Sequence, residues 1–399
     1  VINGSEVVSS PAWWLQRLSK DLGEKQERVR RLRAYMTGDA PLPEGADGCR
    51  DAYRRFQAMS RTNFAELVVE VVGERMIPQA FRTGADGDDL GDAAAQQIWR
   101  ANNMDVWAQD VHMDMLAVGD GYVIVGPPDD TGAPVITRED PATIVTAHDP
   151  RRPEKITAAL KVFRDDVTGL GYAYLYLPGE VYVATAEVAD TESVPSVDVG
   201  SWTWDDKLTG SLPEGFKTVV PVARFRNRGG RGEFETHTDI LDRINYAVLQ
   251  RLVIMAMQAY RQRATKGDLP ETDEDGNPIN YSEIFRPGPG ALWQLPDNVE
   301  LWESGATDLT PILAVARDDI RDLAAVTRSP LPALVPDGAN QTAEGAAMSR
   351  EGLIFKVGDR IRRASLGWNT AMSLAFRFAG DAERAAILDL ETLWAPPER

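Results

Sequence analysis

Hydrophobic and polar positions change period along the chain, and each change predicts a different layer of structure. From Trp13 to Tyr35, apolar residues at Trp14, Leu15, Leu18 and Leu22 recur at helical spacing among Lys and Arg, and Thr37-Gly38 supplies a stop. Asp51 to Met59 and Asn63 to Met76 read as further helices, with Pro78 closing the second. Asp92 to Trp99 and Val106 to Val118 continue the pattern until Gly119-Asp120-Gly121 breaks it. The period then falls to two. Tyr122–Val125, Ala133–Val135, Thr143–Val145, Ile156–Val162, Tyr172–Leu177 and Glu180–Ala186 read as short strands between Asp, Gly and Pro turns, and Val219–Phe225 ends the block. No fixed-period repeat runs along the chain, which argues against a solenoid or propeller.

The second half returns to helix. Ile240, Leu241, Ile244, Val248, Leu249 and the run Leu252–Met257 begin amphipathic and become apolar nearly all round, so this helix needs neighbours on several sides. From His237 to Ala264 it would extend roughly 40 Å at 1.5 Å per residue. The economical reading is a helix packed between copies of itself. Residues 266–306 leave the pattern: Gly267–Pro270 and Asp273–Pro278 are turn-forming, and Gly288-Pro-Gly290, Ala291–Leu295 and Val299–Trp302 suggest a small hairpin-like unit. Thr310-Pro311 then opens a helix to about Thr327, with Ile312, Leu313, Val315, Ile320 and Leu323 on its apolar side. A stiff Pro-rich loop follows, and Asn340 or Thr342 caps the last long helix. Glycines at 345, 352, 358 and 367 in that helix invite bending or close backbone approach.

Composition narrows the class. The 399 residues are 43% hydrophobic and 26% charged, as expected of a folded, soluble chain with one or two sizeable cores. The single cysteine, Cys49, permits no internal disulfide and no zinc spacing, and fits a reducing cytoplasm. No stretch approaches the roughly 18 uninterrupted apolar residues of a membrane span. The N-terminal Val-Ile-Asn-Gly lacks a start methionine and a secretory pattern, so a residue or more is expected to be missing there. A net charge of −18 argues against a tight nucleic-acid clamp, because non-specific affinity comes from cations neutralising phosphates. The same charge also serves plain solubility.

Candidate chemistry is sparse. Arg224, Arg226, Arg228 and Gly229-Gly230-Arg231-Gly232 suit phosphate through guanidinium and backbone N–H groups, with Arg226, Arg228 and Arg231 as the contacts; a solvated loop before a helix explains the same run. Glu271-x-Asp273-x-Asp275-Gly276 opens like a calcium loop, but its last ligand position falls on Ser282, so no metal is assigned. The three histidines, His112, His148 and His237, form no H-E-x-x-H or H-x-H set. His148-Asp149 reads as a strand-end hydrogen bond sooner than a base, and no phosphate loop of an ATPase is present. Gly119-x-Gly121 lacks a third glycine and precedes a strand, which disfavours a dinucleotide site. Trp13-Trp14, Trp202, Trp204, Trp293 and Trp302 are better placed in cores or interfaces than stacked on bases. No catalytic residue and no cofactor follows.

The chain resembles the portal (head-to-tail connector) proteins of tailed bacteriophages over nearly its whole length. The likeness rests on Tyr35, Gly38 and Leu42-Pro43, then Asn63 and the helix ending Glu74-Arg75, then Ile98-Trp99 with Asn102-Asn103. His112 and Gly119-Asp-Gly-Tyr-Val follow, with Ala158-Ala-Leu-Lys161 and Val220-Pro221-Val222, Phe225 and Asn227. Asp308-Leu-Thr-Pro311, Thr327 with Pro330, and Asn340-Gln-Thr-Ala-Glu344 complete it. No motif is specific alone; their order carries the match.

The resemblance implies an α+β portal fold assembled as a ring, usually a dodecamer, at a capsid vertex of the virion. Residues 1–235 would form an α/β wing, 236–265 and 307–327 two stem helices, 266–306 a clip, 328–341 a tunnel loop and 342–399 long wing and crown helices. Arg328, Leu331, Leu334, Val335 and Asn340 would face the channel, with Leu334→Asp changing DNA retention but not assembly. Asp268, Glu271, Asp273, Glu274, Asp275 and Trp293 would dock partners, and Ile244, Leu252, Val253, Ile254 and Met257 would lie between subunits. Implied partners are further copies, major capsid protein and scaffold, terminase, a head-tail adaptor, and double-stranded DNA passing without sequence specificity. Assembly would occur in the host cytoplasm, with no membrane. Another ring-forming capsid or adaptor protein, and a metal-dependent hydrolase using the acidic segment, are the alternatives.

Overall fold

The computed structural model describes residues 2, 7–42, 51–85, 91–188, 194–197, 200–259, 263–267, 269–272, 275–281, 299–303, 305, 308–335 and 343–398. The chain divides into two compact units, one of Val1–Pro41, Asn63–Leu241 and Asp322–Arg399, the other of Leu42–Thr62 and Asp242–Arg321.

In chain order the elements are α1 (Pro11–Met36), α2 (Asp51–Met59), α3 (Phe64–Gly73), β1 (Pro78–Arg82), α4 (Ala93–Ala101) and α5 (Met104–Val118). A run of strands follows: β2 (Asp120–Pro128), β3 (Pro134–Glu139), β4 (Ile144–Asp149), β5 (Arg152–Arg164), β6 (Leu170–Leu177) and β7 (Glu180–Glu187). Then come β8 (Thr203–Trp204), β9 (Gly210–Ser211), β10 (Val222–Arg226), α6 (Thr238–Ala259), β11 (Arg263–Lys266) and β12 (Glu300–Glu303). The chain closes with α7 (Thr310–Thr327), α8 (Leu331–Leu334), α9 (Ala343–Phe378) and β13 (Glu391–Trp394).

Helix α1 begins where Ser10 Oγ accepts the Trp13 amide at 3.1 Å, with Pro11 at the first helical position. Its face of Leu15, Leu18 and Leu22 is buried with Leu160, Val162 and Leu175 of the larger sheet and with Trp202 just before β8. That sheet is antiparallel, in the order β4-β5-β6-β7-β8, with β9 also paired to β7. Strand β6 gives the period of two its physical content: Gly171, Ala173 and Leu175 are buried, while Tyr172, Tyr174 and Tyr176 form a ladder on the other face.

A second antiparallel sheet, β10-β2-β3, carries α5 and the long α9. Gly367 sits in α9 because a Cβ there would fall 2.4 Å from the Phe225 ring. Close approach, as expected, accounts for this glycine. Gly352 and Gly358 face open space, and α9 runs as one helix of 36 residues.

Two expectations change. Helix α6 is described as far as Ala259, roughly 33 Å, and residues 263–266, expected within it, instead pair as a strand with 300–303. The expected hairpin partner Ala291–Leu295 lies outside the described residues. The segment 342–399, expected to be helical, ends in β13, which pairs antiparallel with β1. The periodicity foretells neither β1 nor β13; each is too short to show a period alone.

In the second unit, Asn245 Oδ1 accepts both the amide and the hydroxyl of Thr62 at 2.8 Å. Arg243 and Asp319 join α6 to α7 at 3.0 Å.

Candidate functional site

Two segments that the sequence offers separately, the arginine-glycine run and the Pro-rich loop, meet in the first unit. The run folds back on the end of α5. Gly119 has φ +89°, and a Cβ there would lie 2.4 Å from the Gly230 carbonyl, so glycine alone allows this seating. The Asn227 amide donates to Gly119 O at 2.9 Å, and its side-chain nitrogen donates to Arg231 O at 2.7 Å and Glu233 Oε1 at 3.0 Å. Arg28 donates to Gly230 O and holds Glu235 through both carboxylate oxygens, pinning the segment from α1.

Beneath it, Glu233 is buried and faces α9. Arg360 Nε donates to Glu233 Oε1 at 2.6 Å, and Lys356 Nζ lies 2.9 Å from Oε2. Lys356 also donates to the Thr327 carbonyl at 2.8 Å, tying the end of α7 to the same triad. Burial alone would raise the Glu233 carboxyl, but Lys356 and Arg360 override it and hold the group at about 2. Burial pushes the Lys356 ammonium below its ordinary value, against the pull of Glu233. His237 is lowered by burial and then by Lys356.

A cavity of about 660 Å³ opens above this triad. Its rim carries Arg228 and Arg231 from the glycine-rich run and Arg328 from the end of α7, all three exposed. Asp359, also in the wall, is engaged by Arg360 and Arg363. Among the described residues, no carboxylate pairs with any of the three rim arginines. Arg328 is held at φ +53°, a left-handed conformation that costs a non-glycine residue about 1–2 kcal/mol.

Other expected site residues divide. Arg226 is exposed but does not line the cavity. Arg224 is bound internally to Asp120 at 2.8 and 3.0 Å and lies 2.8 Å from His148 Nε2. That removes it from any phosphate role, and burial with Arg224 pushes His148 down to about 4. Leu331 and Val335 are half-buried, whereas Leu334 is only 4% exposed, in a short helix packed against α3. Leu334 therefore leaves the channel-facing set. Leu334→Asp is expected to destabilise the first unit by about 3 kcal/mol or more, through a buried charge and forfeited apolar packing. Thermal melting of the variant against Leu334→Met measures it; equal melting of the two would refute the burial. Asn340 lies outside the described residues.

Ile244 is 1% exposed within the single chain, so it is withdrawn from the subunit-interface set. Leu252, Val253 and Ile254 are half-buried, and the Met257 side chain lies outside the described residues. Glu271 and Asp275 are exposed, and the Ile279 amide donates to Glu271 O at 3.0 Å beside the antiparallel bridge Thr272–Pro278. Asp268, Asp273, Glu274 and Trp293 lie outside the described residues. Among those described, no three His, Cys, Asp or Glu gather to hold a metal.

Sequence reading misses Glu233, Lys356 and Arg360. The one available signal is the four-residue spacing of Lys356 and Arg360 on a predicted helix, which places both on one face. Nothing local points to their carboxylate, more than a hundred residues earlier.

The family model described as phage portal protein, SPP1 Gp6-like, matches residues 17–387. The chain belongs to that family. Among known portal proteins, it is 25% identical to that of Mycobacterium phage D29, over 99% of this chain and 80% of that protein. It is 24% identical to that of Mycobacterium phage L5, over 86% and 70%. Among solved structures, it is similar to a chain from the neck of an empty GTA particle, at 13% identity and TM-score 0.47, covering 91% of this chain and 88% of that one. An HK97 family phage portal protein from Corynebacterium diphtheriae aligns at 11% identity and TM-score 0.40, covering 88% and 97%. Membership makes the chain a structural portal protein of the phage capsid, with an α+β fold.

Proposed function

We propose that copies of this portal protein close into a ring at one capsid vertex, through which double-stranded DNA enters and leaves. Terminase and a head-tail adaptor dock on it in turn. The apolar surface left open on the second unit supports this reading. Met255 on α6, Val315 on α7 and Trp302 on β12 are each more than half exposed, and Leu313 is partly so. A folded monomer gains nothing from leaving such large side chains in water; a neighbouring copy would cover them. In this reading residues 236–265 and 307–327 supply the stem, 266–306 the clip with Glu271 and Asp275 toward partners, and 328–341 the tunnel loop. The net charge of −18 per copy suits a conduit, since it keeps phosphate contacts few enough for DNA to slide.

Mass photometry and negative-stain images of the purified chain are expected to show rings with a central hole. Val253→Asp, which places a charge on the half-buried face of α6, is expected to shift the mass toward single copies. A compact monomer at micromolar concentration, or rings of unchanged size and yield from Val253→Asp, would count against the proposal.

A further inference from the structure

We infer that the cavity between the glycine-rich run and α9 is a phosphate-binding site. Arg228, Arg231 and Arg328 form its rim, and the Lys356–Glu233–Arg360 triad forms its floor. The inference uses the portal reading only for the source of the ligand, a backbone phosphate of the passing DNA. The site itself rests on the residues.

Charge is the first argument. Among the described residues, five cationic side chains line the cavity against two carboxylates, Glu233 and Asp359, an excess of three positive charges in a chain whose overall charge is −18. Both carboxylates are consumed internally, by Lys356, Arg360 and Arg363. The rim guanidinia are thus the groups left facing the opening.

Valence and size come next. A single carboxylate offers two oxygens and one charge, which one guanidinium fork satisfies. Three guanidinia from two separate segments exceed that demand. A tetrahedral phosphate spreads its charge over several oxygens and accepts forks from several directions, and Arg is the side chain that serves this geometry. A space of about 660 Å³ admits a phosphate with its attached sugar.

Preorganisation is the third. Asn227 and Arg28 fix the run that carries Arg228 and Arg231. The Thr327 hydroxyl bonds Leu323 O at 2.6 Å and Ser329 Oγ at 3.0 Å, fixing the backbone on both sides of Arg328. Arg328 occupies a left-handed position that glycine would hold more easily, so removing its side chain by Arg328→Gly relieves the backbone and leaves the fold intact.

The test titrates the full-length protein, in a chloride buffer free of sulfate, with inorganic phosphate by calorimetry and with a fluorescein-labelled 20-bp duplex by anisotropy. Wild type is expected to bind both probes. Arg328→Gly and Arg228→Gln/Arg231→Gln are each expected to weaken both by roughly tenfold or more, the scale of one charged hydrogen bond. The salt slope of duplex binding should fall by about 0.9 for each phosphate no longer neutralised. Arg226→Gln, on the same run but outside the cavity, is expected to leave both affinities unchanged.

Equal losses from Arg226→Gln would replace the pocket with diffuse surface charge and overturn the inference. Wild type binding neither probe would overturn it as well. If Arg328→Gly then also altered the ring mass, the rim would serve an acidic side chain of a second copy, beside the exposed Phe355 and Val326. Phosphate bound without ring formation would uphold the site and sink the conduit reading. Rings that bind no phosphate would do the reverse.

Discussion

Glu233→Gln is expected to cost the first unit about 3–5 kcal/mol, the penalty for stranding buried cations after removing their partner. Lys356 and Arg360 are 7% and 9% exposed, so neither reaches water easily once the carboxylate charge is gone. Urea unfolding of the first unit, followed by near-UV signal, measures the shift. A companion variant, Glu233→Gln/Lys356→Met, is expected to recover part of the loss by removing one stranded charge. If Glu233→Gln melts within about 0.5 kcal/mol of wild type, below the usual cost of breaking a buried pair, the triad is not buried as described.

The same group sets a pH dependence. Glu233 is held at about 2 in the folded state, against an ordinary 4.5, so its contribution is complete above pH 4.5 and is lost as pH falls toward 2. His112 acts in the same direction at higher pH. Burial pushes it down to about 3 from 6.5, so the unfolded chain takes up a proton first as pH drops below 6.5. Stability should therefore decline in two stages on acidification, and Glu233→Gln should flatten only the lower one.

Trp368→Ala is the second large effect, at about 3–5 kcal/mol from the cavity it opens. Trp368 is 1% exposed on α9 and meets Trp99 edge-on at 5.0 Å and Phe225 at 4.5 Å. Its indole N–H donates to His112 Nε2 at 2.8 Å, so the substitution also leaves that nitrogen buried without a donor. Trp368→Phe keeps most of the ring and loses only the N–H, for which about 1–3 kcal/mol is expected. Denaturant midpoints of the two variants separate packing from hydrogen bonding. Equal losses would mean that the hydrogen bond dominates, and no loss in either would refute the burial of Trp368.

These residues mark how far local pattern reaches. Large aromatic rings need cover, and a glycine inside a long helix invites a close approach; both rules can be read from sequence. That Gly367 seats the Phe225 ring, and that His112 receives the Trp368 indole, depends on strands and helices far apart in sequence. The candidate site behaves likewise. Arg228 and Arg231 stand out as a basic, glycine-rich run and Arg328 as the start of a stiff loop, yet neither segment announces the other. Leu334 escapes sequence reading for a related reason: apolar character in a Pro-rich loop says that a side chain seeks cover, not whether its own chain or a neighbour provides it.

What the sequence alone determined was the succession of elements and the family. Helical and two-residue periods are set by hydrogen bonds and side-chain directions between near neighbours, so α1, α5, α7 and the strands β2–β7 are foreshadowed by composition and spacing. What only the tertiary structure decided was which distant segments share a partner. β1 finds β13, residues 263–266 pair with 300–303, and Glu233 finds Lys356 and Arg360. Such pairings must repay the closure of loops tens to hundreds of residues long, and they form only once the surrounding core has drawn the segments together.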